Sequence, residues 1–247
     1  MTVTTQTVDI PTSSTPLRLF VAAPRAQGPY PGILLYSDIF QLTGSTIRAC
    51  VRLAGYGFVV AAPEIYHRIE PPGTALPFDD SGRIRGMKNA SETTVDEFDA
   101  DARTTFAWLS NDPRVAANQL GATGFCIGGH LAFRAAFQPE CRATACFYAT
   151  GLHDGKLGHD TDAGSLARAA EIHGDLLMVF GTLDPHVPET GRINIQSALD
   201  AAKIRSTTEL YPAEHAFMRD EGPRYDPEAA DLAFASMIGM FRRVFNS

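Results

Sequence analysis

An α/β fold with a mostly parallel central sheet and helices on both faces is predicted by three observations. Continuous apolar runs such as Ile33-Leu34-Leu35-Tyr36-Ser37, Phe58-Val59-Val60-Ala61-Ala62 and Leu176-Leu177-Met178-Val179-Phe180 have the composition of strands buried on both faces. Segments with helical spacing separate these runs, and alternation of strand and helix favours parallel pairing. The 247-residue chain, 45% hydrophobic, suits one domain, residues 1–247, with a sizeable core.

The elements follow in order. Residues 2–10 and 17–22 read as an opening pair of strands, split by Pro11-Thr12-Ser13-Ser14-Thr15-Pro16. Pro29-Tyr30-Pro31-Gly32 leads into the first central strand, which ends at Asp38-Ile39-Phe40. A helix from about Ser45 to Ala54 carries Ile47, Cys50, Val51 and Ala54 on one face. Gly55-Tyr56-Gly57 ends it before the strand 58–62. From Pro63 to Thr93 the pattern breaks into Pro, Gly, Asp and Arg, and so long a connection is usually functional or mobile. Helical spacing returns with Val95, Phe98, Ala102, Phe106 and Leu109, where Phe98, Phe106 and Trp108 read as packing residues. Then come a strand at 119–123, a helix at 130–137, a strand at 143–149, a polar loop at 154–164, strands at 176–180 and 207–211, and a helix at 229–245. No repeat, low-complexity tract or linker divides the chain.

A formal charge of -7 without a basic stripe argues against nucleic acid and anionic membrane surfaces as partners. Residues 1–10 read as a strand and not a signal peptide, and no apolar run approaches membrane-spanning length. Cys50, Cys126, Cys141 and Cys146 lack metal-type spacing and read as reduced thiols of a cytoplasmic protein.

The chemistry centres on Gly124-Phe125-Cys126-Ile127-Gly128-Gly129, between a strand and a helix. Such a strand–turn–helix elbow lifts one side chain above the sheet, and small neighbours let strand and helix approach. Cys126 holds the nucleophile position, and the helix that follows favours negative charge on sulfur. Asp184 and His215 follow later strands, 58 and 31 residues further on in turn, in the order nucleophile, acid, histidine. In open α/β sheets the chemistry gathers at these C-terminal strand edges. His215 would take and return the proton, and Asp184 would fix its tautomer. His186 is a rival base but reads as loop. The backbone N–H of Ile127 and that of Ile39 are the candidate oxyanion donors.

Cys126 in its elbow, Gly181-x-x-Asp184-Pro185-x-Val187-Pro188, and His215-Ala216-Phe217 followed by Arg219 resemble the dienelactone hydrolase (carboxymethylenebutenolidase) family. The resemblance runs from Pro31 to the last helix. It implies an α/β-hydrolase fold and opening of a small carboxylated lactone, dienelactone to maleylacetate, in chloroaromatic degradation, with no metal and no organic cofactor. It further implies an acid paired with an arginine beyond the histidine, positions held by Asp38 and Arg219. The family's acid is usually glutamate, one methylene longer than Asp38. A second substrate arginine would be Arg83 or Arg85, with Arg85 preferred.

Glu64 or His67 could touch substrate, although anchoring of the loop is the simpler role. His153-Asp154 and His159-Asp160 suggest a metal site only superficially, because a polar loop does not preorganise them. Alternatives are a hydrolase of another small ester or lactone, or a non-catalytic ligand-binding member. The partner expected is the small-molecule substrate, with the protein a monomer or small homo-oligomer.

Overall fold

β1 (Val3–Ile10) and β2 (Leu17–Pro24) form an antiparallel pair at one edge of the sheet. β3 (Tyr30–Tyr36), β4 (Val59–Pro63), β5 (Val115–Phe125), β6 (Cys141–Phe147), β7 (Asp175–Gly181) and β8 (Ser206–Tyr211) run parallel to one another. β2 pairs antiparallel with β4, giving the order β1-β2-β4-β3-β5-β6-β7-β8. These elements belong to a computed structural model that describes residues 1–246.

Helices seal both faces. α1 (Gly44–Gly55) and α6 (Pro227–Phe245) pack on one side with Ile33, Leu35, Leu177 and Val179. α3 (Val95–Asn111), α4 (Ile127–Ala135) and α5 (Glu189–Ala202) pack on the other with Leu34, Tyr36, Met178 and Phe180. Successive side chains of β3 and β7 enter opposite cores, which is why those strands are apolar without interruption. Among the described residues no helix is long and apolar enough to cross a membrane.

Three parts differ from the sequence expectation. The connection at 63–93 contains α2 (Asp80–Glu92), whose cap is Asp79 accepting from the Gly82 N–H at 2.8 Å. The Asp79-Asp80-Ser81-Gly82 run within that connection is a helix start. Its periodicity is hidden because the buried face presents Gly82, Gly86, Asn89 and Ala90, while Ile84 and Met87 point outward. α5 is also additional, and α4 begins at Ile127, immediately after the elbow.

Candidate active site

Cys126 is the single residue between β5 and α4, at φ 61°, ψ -121°. A side chain in that region stores about 1–3 kcal/mol of strain unless its surroundings fix it. Here they do: the Cys126 N–H donates to the Phe147 carbonyl at 3.1 Å, and its carbonyl accepts from Gly129 and Thr150 at 3.0 and 3.2 Å. A Cβ on Gly124 would lie 2.1 Å from the Gly128 carbonyl oxygen, and one on Gly128 would lie 2.2 Å from that of Ser37. Backbone contacts at that range require both glycines, so the elbow's shape is written into its sequence. The sulfur of this buried residue stands 3.6 Å from Thr150 Oγ1. Cys50, Cys141 and Cys146 are unpaired too, but burial pushes all three thiols up, Cys141 to about 12.

Asp184, beyond β7, and His215, beyond β8, meet in the interior. Nδ1 of His215 donates to Asp184 Oδ2 at 2.7 Å, the direction set by a carboxylate that only accepts. The His186 N–H holds the other oxygen at 2.7 Å, so the carboxylate cannot rotate away. The Tyr148 and His186 rings meet the imidazole edge-on, with centroids 5.0 and 4.6 Å away. Burial works against a charged His215, but the Cys126 sulfur and Asp184 outweigh it and raise the imidazole to about 9. Burial likewise opposes ionisation of Asp184, yet its bond to His215 leaves it below the usual carboxylate range.

Asp38 and Arg219 form an ion pair in which the guanidinium Nε donates to Asp38 Oδ2 at 3.1 Å. Asp38 Oδ1 accepts the Phe40 N–H at 2.9 Å, holding the turn that carries Ile39. Arg219 is also flanked by the Phe40 and Phe78 rings at 4.8 and 4.6 Å. Asp220, its sequence neighbour, pairs instead with Arg48. A small open pocket lies here, lined by Asp38, Ser45, Thr46, Phe125, Tyr148 and Arg219. Ile127 opens α4, so its N–H has no carbonyl one turn back to bind. Ile39 is buried in the same core cluster as Ile127.

Other expected residues serve the framework. Arg85 is half exposed and held by Glu70, which also accepts from Asn89; Arg83 lies beside Asp80 at the surface. Glu64 accepts the Gly73 N–H at 2.9 Å, and His67 lies buried between Thr15 and Asp101. Asp160 accepts the Val95 N–H, and His159 faces the Ser91 carbonyl. Among the described residues no group of three His, Cys, Asp or Glu could hold a metal ion. Sequence reasoning missed Tyr148 and Thr150, which reach the site from the end of β6 and carry no motif of their own.

The family model described as "Dienelactone hydrolase family" matches residues 17–245. A Saccharomyces cerevisiae protein named "Putative carboxymethylenebutenolidase" is 35% identical over 95% of this chain and 90% of its own length. A carboxymethylenebutenolidase of Pseudomonas sp. (strain P51) is 26% identical over 89% of this chain and 87% of its own. A Klebsiella pneumoniae crystal structure, described as a "Putative Dienelactone Hydrolase", superposes with a TM-score of 0.83 at 24% identity, covering 98% of this chain and 100% of that one. The chain belongs to the dienelactone hydrolase family and is a carboxylic ester hydrolase with the α/β-hydrolase fold.

Proposed function

We propose that the protein, acting as one domain, opens a small carboxylated lactone by acylating Cys126, with dienelactone to maleylacetate the reaction in view. The observation that carries this reading is the Asp184–His215 pair, bonded at 2.7 Å, beside Cys126 at its strained elbow. His215 takes the thiol proton, and sulfur adds to the lactone carbonyl carbon. The resulting oxyanion is held by the N–H groups of Ile39 and Ile127. Collapse breaks the ring C–O bond, and the leaving oxygen receives the proton from His215. Water, deprotonated by His215, then cleaves the thioester and returns Cys126 as a thiol. Arg219 grips the substrate carboxylate beside the cavity it lines. No metal or organic cofactor enters any step.

The test follows the ultraviolet absorbance of cis- and trans-dienelactone. Turnover by the unmodified protein, reduced at least about 10³-fold in Cys126→Ala, is the expected result. A Cys126→Ala variant that still turns over at the original rate sinks the nucleophile assignment.

A second reading, hydrolysis of another small ester or lactone, is favoured by one observation: Glu70 engages Arg85 and Asp38 engages Arg219, so both expected substrate arginines already have acidic partners. Turnover of neutral aryl esters with no dienelactone activity would select it.

A further inference from the structure

The loop that follows β4 carries a buried phenol with nothing to bind. Tyr66 is 1% exposed and packs in one cluster with Ile39 and Ile127. Its backbone is fixed on both sides. The N–H donates to Gln41 Oε1 at 3.1 Å, and the carbonyl accepts from Ile69 and Glu70 at 2.9 and 2.8 Å. Among the described residues the hydroxyl has no hydrogen-bond partner. Leaving such a group buried and unbonded costs about 1–3 kcal/mol. With its backbone held and its hydroxyl unbonded, Tyr66 can donate to an acceptor that a ligand brings.

The ionisable groups whose charge reaches Tyr66 are Cys126 and Asp38. Asp38, bonded to the Phe40 N–H and Arg219, does not reach the hydroxyl. Tyr66 is tied through Gln41 to the turn that carries Ile39, and Cys126 is near enough for its charge to act on the phenol. Burial first, then the Cys126 and Asp38 charges, hold the phenol well above its usual pKa, so it stays a neutral donor.

Resting on the reading of Cys126 as nucleophile, we propose that the Tyr66 hydroxyl is a third donor to the acyl oxygen under attack, beside the Ile39 and Ile127 N–H groups. Tyr66 is then a catalytic residue. Its hydrogen bond forms with the substrate carbonyl and strengthens as that oxygen becomes an anion, so it acts on the rate of acylation more than on binding.

The test compares unmodified protein with Tyr66→Phe in three measurements. The first is the p-nitrophenol burst from p-nitrophenyl acetate, which reports thioester formation on Cys126. A fall of about 10²-fold in the acylation rate is expected, with little change in the half-saturating ester concentration. The second is alkylation of Cys126 by iodoacetamide, which generates no carbonyl oxyanion and should keep its rate. The third is the urea midpoint, which should stay or rise, because only an unbonded hydroxyl is removed. Acylation as fast as in the unmodified protein overturns the proposal. Alkylation slowed in parallel overturns it too, by making Tyr66 a partner of the thiol, and so does a lowered midpoint. If the unmodified protein gives no burst, the nucleophile reading fails and this one falls with it.

Discussion

Cys126 gives up stability to stand where it does. Its positive φ is tolerated because Phe147, Gly129 and Thr150 bind its backbone and because Gly124 and Gly128 leave room for the turn. Glycine adopts that conformation without a Cβ penalty. Cys126→Gly should therefore be more stable than Cys126→Ala by about 1 kcal/mol, measured by urea unfolding. Equal stabilities would mean that the backbone there is relaxed. The site was readable at this scale wherever the constraint was local. Cys126 declared itself through its two flanking glycines, and Asp184 and His215 through the strands they follow. Tyr148 and Thr150 declared nothing, because an edge-on ring contact and a 3.6 Å approach to sulfur arise only once β6 lies beside β5.

Among the elements, α2 was the least legible and is the most closely tied to the proposed oxyanion turn. A helix is usually recognised by its apolar stripe, yet α2 buries glycine, alanine and asparagine and turns Ile84 and Met87 to solvent. The reason lies in how closely it approaches the turn after β3. A Cβ on Gly86 would lie 2.4 Å from the Ile39 carbonyl oxygen. Gly86→Ala should push helix and turn apart, and a shift of the Ile39 N–H should lower kcat/KM by roughly 10–100-fold. Steady-state kinetics on an aryl ester would show it, with circular dichroism confirming that the helices persist. An unchanged kcat/KM would mean that the turn is not part of the catalytic geometry. β3, β4 and β7, by contrast, were plain from the sequence, since strands buried on both faces have no alternative to uniform apolarity.

For the molecule as a whole, two histidines bound the pH range of stability from opposite sides. His130 is fully buried between the Thr150 carbonyl and Ser165 Oγ, and burial, the largest effect on it, lowers it from 6.5 to about 3. An unfolded chain protonates near 6.5 while the folded one resists until about 3, so stability falls as pH drops through that interval. His215 has the opposite sign. Its folded value of about 9 exceeds the ordinary 6.5, so its contribution is complete below 6.5 and is lost as pH rises through about 9. Urea midpoints measured across pH should fall at both ends, and His215→Gln should flatten the alkaline side alone. An alkaline decline that persists in His215→Gln would show that another group causes it.

The segment from Glu64 to Thr93, α2 included, leaves the sheet after β4 and returns at α3 without adding a strand, whereas Cys126, Asp184 and His215 sit on loops after β5, β7 and β8. That connection can therefore be rewritten, insertion by insertion, without disturbing the strands and loops that hold the proposed triad.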